Sequence, residues 1–265
     1  MSPADVITET TGMLIRRSHH FALALALLAP GCQQADEPPD DGTIRSCPEF
    51  GYEGPTGPSA WGALCSYYEL CDTGAQQSPL DLAPATPSES RPIETSYPTS
   101  GYELMNDGET IRAVPDHPGV IRLDAREYTL TQFHFHTPSE HTIGGEHFPV
   151  EMHLVHRATG GDIAVLALFV DSGVASTALQ MLPAVGATTR LEDLALNDIV
   201  PADTAIYSYT GSLTTPPCTE GVSWNLVATP IEASAEQLRT LRAAIGHENA
   251  RPVQAVGDRI IELLP

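Results

Sequence analysis

Two short alternating segments constrain this chain more than anything else in it. "QFHFH" (132–136) puts a polar residue at every second position with phenylalanine between. Side chains at i and i+2 of a strand share a face. Gln132, His134 and His136 therefore project to one side, and Phe133 and Phe135 can enter a core on the other. "EMHLVH" (151–156) repeats the device, with Glu151, His153 and Val155 on one face and Met152 and Leu154 opposing them. Residues 137–148 connect the two segments, and Gly144-Gly145 can help the chain turn.

Paired antiparallel, these strands let His134, His136 and His153 converge. Three imidazoles without a thiolate favour zinc among the borderline divalent metals. Three protein ligands also leave a fourth tetrahedral position open, as in a catalytic rather than a structural site. Gln132 and Glu151 each precede a histidine by two residues and can accept the N–H of its other ring nitrogen. The other histidines of the segment need no special role. His141 reads as hydrogen-bonded in the core or behind a ligand, His147 as a loop residue and His156 as packing. His134, His136 and Glu140 also spell HxHxxxE, like the first metal motif of cupins. Against that, a third histidine arrives only 17 residues after His136, and no downstream Gly-rich PxG motif precedes another one.

Further strand-like runs are "EYTLTQFHFH" (127–136), "PVEMHLVHRAT" (149–159), "IAVLALFVDS" (163–172), "AIYSYTGSL" (205–213) and "GVSWNLVATP" (221–230). Residues 163–170 are nearly all apolar, which predicts a central strand buried on both faces. Ser234 and Gln237 form a capping-box pattern ahead of a helix over 235–245, and Gly246 can close it. A shorter helix is expected around 176–182. No internal repeat is present. The elements predict one mainly antiparallel β domain with a few peripheral helices.

Thirteen arginines, with no lysine, face 34 acidic residues, for a net charge of −21. Phosphate contacts need a basic surface, so this balance argues against a nucleic-acid partner and predicts a soluble, self-repelling surface. Arg16 and Arg17 precede an apolar run, "FALALALLAP" (21–30), which is too short to span a bilayer but fits a signal peptide. Its end, "LLAPGC", resembles a bacterial lipobox in which Cys32 is acylated, although Ala29 and Pro30 replace commoner residues. Met13 would start a compact signal of the same kind. The other reading is a cleaved secretory signal with Cys32 an ordinary thiol. Either way the chain is expected to be exported, to the periplasm or as an outer-membrane lipoprotein, with the lipid anchor its only contact with a membrane. The expected organisation is a signal over 1–32, a flexible acidic tether over 33–46 and a folded domain over 47–265. Export permits disulfides. Setting Cys32 aside, Cys47, Cys65, Cys71 and Cys218 allow three connectivities, and none has the CxxC spacing of a thiolate zinc site.

Six motifs occur together and in order: "QSPLDL" (77–82), "QFHFH" (132–136), "SEH" (139–141), "EMHLVH" (151–156), "GSLTTPPCTEGVSW" (211–224) and "NARPVQ" (249–254). In these the chain resembles the α-class carbonic anhydrases, in their bacterial form, over roughly residues 50–260. The resemblance implies a large, mostly antiparallel, twisted central sheet in a single mainly β domain with a few short helices. It implies zinc on His134, His136 and His153, with Gln132, Glu151 and the Asn249 backbone orienting those rings. It implies reversible hydration of CO2 to bicarbonate and a proton by hydroxide on the zinc, with Thr214 donating a hydrogen bond to Glu140. Val155, Val165, Leu213, Val222 and Trp224 would form the apolar pocket for CO2, and Thr215 would meet bicarbonate. It also implies disulfides Cys71–Cys218 and Cys47–Cys65.

The chain departs from the pattern at Glu109, where the family usually carries a histidine that passes protons to solvent. A solvated glutamate with a pKa of about 4.3 is a poor proton acceptor near neutrality. Turnover is therefore expected to be slow and buffer-dependent, unless burial raises Glu109 or His147 stands in. Phe50 and Ala250 replace tryptophans in packing roles. The alternative to an enzyme is an inactive relative that only binds; such relatives usually lose a zinc histidine, and here all three are present. Ester hydrolysis would be a side activity. Oligomeric state is not legible.

Overall fold

The computed structural model describes residues 47–89, 93–179, 183–201 and 204–265. The signal over 1–32, Cys32 and the tether over 33–46 lie outside the described residues. The described chain begins with two single-turn helices, α1 (Trp61–Leu64) and α2 (Leu70–Thr73), among short 3-10 turns. Strands β1 (Thr86–Pro87), β2 (Ile93–Ser96), β3 (Ser100–Asn106), β4 (Ile111–Pro115), β5 (Val120–Leu123), β6 (Arg126–His136), β7 (Thr142–Ile143) and β8 (Glu146–His147) follow. Then come β9 (Val150–Arg157), β10 (Ile163–Ser172), β11 (Thr188–Leu194), β12 (Ile206–Ser212), β13 (Glu220–Ala233), helix α3 (Ala235–Ile245) and β14 (Glu262–Leu264).

Twelve of these strands form one sheet, whose main path runs β1-β14-β12-β13-β10-β9-β6-β4-β3-β11, with β5 joining β2 to β6. Only β1/β14 and β10/β13 run parallel; the other pairings are antiparallel, as expected for this fold. Strand β10 lies between β9 and β13 and is buried on both faces. Leu166 and Leu168 enter one apolar cluster, and Val165, Ala167 and Phe169 enter another. The Phe positions of "QFHFH" do what alternation requires: Phe133 and Phe135 are buried in the first cluster with Met152 and Leu154. Burying each such ring stabilises the fold by about 1.5–3 kcal/mol.

Helix α3 is capped as its sequence predicts. Ser234 Oγ accepts from Gln237 N, the Gln237 side chain accepts from Ser234 N, and Gly246 closes the helix at φ 89°. The helix expected around 176–182 does not form over its described part, because 176–179 is a bend and turn. Gln237 explains this physically. Its Oε1 accepts from Ser176 N, and its Nε2 donates to Ser176 O and Leu179 O, so backbone groups a helix would use are tied to a neighbour. Both disulfides implied by the resemblance are present, Cys47–Cys65 and Cys71–Cys218. Phe50 keeps a packing role, with its ring edge-on to Trp61 at 5.5 Å.

Candidate active site

The register of β6 against β9 places His134 opposite His153 and His136 opposite Glu151. The three histidines each offer a nitrogen, and these three atoms lie within 4.8 Å of one another. The other nitrogen of each ring is engaged. His134 Nδ1 is 2.9 Å from Gln132 Oε1, His136 Nδ1 is 2.7 Å from Asn249 O, and His153 Nε2 is 2.7 Å from Glu151 Oε1. All three acceptors hold the proton away from the centre. His134 Nε2, His136 Nε2 and His153 Nδ1 are thus left to point lone pairs at a common position. Burial holds His134 well below the usual imidazole range, helped by His136 and His153 beside it. Burial also lowers His136, against the pull of Glu140. Both rings are therefore neutral, the form that binds a metal.

Glu151 organises the surroundings. Its Oε2 accepts from the backbone N of Glu140 (2.9 Å) and of His141 (2.8 Å), and its Oε1 also meets His141 Nδ1 at 2.8 Å. Burial works to raise this carboxyl, but His141 and His153 hold it well below the ordinary carboxylate range. The chain of contacts continues outward. Tyr209 Oη sits 2.6 Å from His141 Nε2 and 2.8 Å from Ser78 Oγ.

Glu140 is fully buried. Its Oε1 accepts from Arg251 N at 3.0 Å. Its Oε2 lies 3.5 Å from His136 Nε2 and 3.9 Å from His153 Nδ1, and neither Oε2 nor His136 Nε2 has a hydrogen-bond partner. Two orphaned buried polar atoms beside a triangle of imidazole nitrogens fit a site for a cation. The all-imidazole donor set, with room for a fourth ligand, suits zinc. Thr214 is buried in the 213–219 turn joining β12 to β13. Because Glu140 Oε2 accepts nothing, the bond from Thr214 is not formed in this structure.

A cavity of about 510 Å³ opens over His134 and His136 and is lined also by Gln132, Thr215, Glu109 and Arg112. Val165, Val222 and Trp224 share one buried apolar cluster, against which Val155 and Leu213 pack. Gly211, in β12 just before the turn, makes room for Ser78, because a Cβ there would run into Ser78 Oγ. Glu109 is partly solvated, with its side chain 40% exposed. Its Oε2 is buried without a partner, and burial raises its pKa while His247 pulls it down. His147 is not a substitute for it. It lies on β8, with Nδ1 2.6 Å from Ser139 O, and does not line this cavity. His156 packs in the core, with Nε2 2.9 Å from the Tyr97 hydroxyl.

The sequence model of the eukaryotic-type carbonic anhydrases matches residues 56–264. The chain belongs to that family. It is 37% identical over 247 residues to a carbonic anhydrase of Pectobacterium carotovorum, covering 90% of this chain and 98% of that one. Its fold superposes on the α-carbonic anhydrase of Thermovibrio ammonificans with a TM-score of 0.78 at 37% identity, over 81% of this chain and 98% of that one. The α-carbonic anhydrase of Photobacterium profundum gives 0.76 at 38%, over 81% and 100%. Two residues that meet Glu140 or Glu109 escaped the sequence reading as individuals. Arg251 lies inside the quoted "NARPVQ", and its Nη1 donates to Gln77 Oε1 and Ser78 O while its Nη2 donates to Cys71 O. His247 stands two residues before that motif, and nothing local marks it.

Proposed function

We propose that this carbonic anhydrase catalyses the reversible hydration of CO2 to bicarbonate and a proton, with zinc held by His134, His136 and His153. The observation that carries the reading is the triangle of imidazole nitrogens, each ring fixed from behind by Gln132, Asn249 or Glu151. Zinc held in such a site lowers the pKa of a bound water to about 7, the general value for carbonic anhydrases, and so supplies a nucleophile at neutral pH. The chain's own residues supply the rest. Glu140 is held by Arg251 N with its second oxygen facing the centre, ready to accept from the Thr214 hydroxyl. Thr214 then has its own oxygen lone pairs committed to one direction, which orients the nucleophile. Val155, Val165, Leu213, Val222 and Trp224 give a wall that excludes water and suits a substrate without a net dipole. Thr215 and Glu109 both line the cavity; in this reading Thr215 meets bicarbonate and Glu109 takes a proton. We also infer export, supported by the two disulfides, which persist in oxidising compartments.

The test is stopped-flow CO2 hydration on protein lacking residues 1–32, alongside its zinc content. One zinc per chain, with activity lost on chelation and restored by zinc, is expected. Metal-free protein inert toward CO2 would remove the reading.

A further inference from the structure

His247 follows Gly246 at the end of α3, and its ring bridges two backbone carbonyls. Nε2 lies 2.9 Å from Gly108 O and Nδ1 3.0 Å from Glu248 O. A carbonyl oxygen only accepts, so both contacts are hydrogen bonds only when both ring nitrogens carry protons. The arrangement is that of an imidazolium. Facing it, 3.8 Å from Nε2, is Glu109 Oε2, the buried oxygen without a hydrogen-bond partner. Glu109 also lines the cavity over His134 and His136, while the His247 side chain is 23% exposed and reaches solvent. The pair therefore joins the cavity to the exterior. Glu53 faces His247, Glu49 and Asp107 face Glu109, and the Tyr52 ring packs on the imidazole at 5.8 Å. Glu248 is engaged by Arg242.

We propose that His247 is the proton carrier that works with Glu109, taking each proton that Glu109 removes from the cavity and delivering it to solvent. This rests on the reading of the site as a CO2 hydratase. A cavity water gives one proton to the Glu109 carboxylate and becomes hydroxide. The carboxylic acid passes that proton to the neutral ring of His247 and is a carboxylate again. The imidazolium then gives it to a base in solution. The structure, with both ring nitrogens donating, corresponds to the step with the proton on His247. The ionisation of the pair agrees. Burial opposes the charge on His247, but the two carbonyls and Glu109 outweigh it and raise its pKa above the usual value. Glu109 is itself raised by burial, so it accepts a proton more readily than a free glutamate and hands it on to a stronger base.

Two readouts decide the matter. In stopped-flow assays of the zinc-loaded protein, His247→Ala and His247→Gln should lower kcat by about 100-fold or more in dilute buffer. They should leave kcat/KM unchanged, and concentrated imidazole should restore the rate. Undiminished kcat in dilute buffer would overturn the proposal. Nitrogen-15 NMR on the wild type should show His247 protonated at both ring nitrogens, titrating above 6.5, with that pKa falling in Glu109→Gln. No shift in that variant would also overturn it. A wild type that does not hydrate CO2 at all would instead sink the functional reading, and the NMR result would then decide the coupled pair by itself.

Discussion

At the scale of single residues, Gln132 and Glu151 do related jobs at different cost. Gln132 touches His134 through one hydrogen bond at a partly exposed position. Gln132→Ala should weaken zinc retention by about 10- to 100-fold with little change in melting temperature, as read by chelator competition. Glu151 accepts from two backbone amides and two imidazoles. An amide at that position would turn one acceptor into a donor facing donors, so Glu151→Gln should lose both metal and stability. His156 gives a prediction in pH. Burial lowers its pKa to about 4, below the unfolded value of about 6.5. The unfolded state therefore binds the proton first. Stability is full above about pH 6.5 and falls as pH drops toward 4, by about 3 kcal/mol for this group. In denaturant titrations, His156→Phe should flatten that part of the pH profile; an unchanged slope would assign the loss elsewhere. The convergence of His134, His136 and His153 is legible in the sequence because period two fixes which side chains share a face. The pairing of His247 with Glu109 is not, because it depends on where the end of α3 meets the turn after β3, 139 residues back to Gly108.

At the scale of elements, the turn over 213–219 is pinned at Cys218, which adopts φ 56° and is bonded to Cys71 across 147 residues. Closing so long a loop is worth up to about 5 kcal/mol in the chain-entropy model. The Cys71→Ser, Cys218→Ser double variant should therefore unfold at markedly lower denaturant. It should also lose CO2 hydration before it loses the sheet's far-UV dichroism, because the turn carries Thr214. Coincident loss of both signals would show that the turn is held by the sheet alone. The strands and α3 were readable because their patterning is local: alternation for β6 and β9, an apolar run for β10, a capping box for α3. The turn at 176–179 was not, because Gln237, 61 residues from Ser176, takes over its backbone groups.

At the scale of the molecule, a formal charge of −21 sets the response to salt. Screening weakens exposed ion pairs such as Arg190 with Asp116 and Glu192, but each of these is worth only about 0–1 kcal/mol. Relief of repulsion among 34 acidic groups outweighs them. The melting temperature should rise as sodium chloride increases from about 10 mM to about 1 M, where the Debye length falls from about 30 Å to about 3 Å; a fall would make the ion pairs the larger effect. Arg251 has a different reach. One side chain grips Cys71, Gln77 and Ser78 near the start of the fold, while its backbone N holds Glu140 and its guanidinium lies 5.7 Å from the Trp61 ring. That grip joins segments 174 and 180 residues apart, so a chain cut before Arg251 would lose a hold on Glu140 together with a tie to the start of the fold.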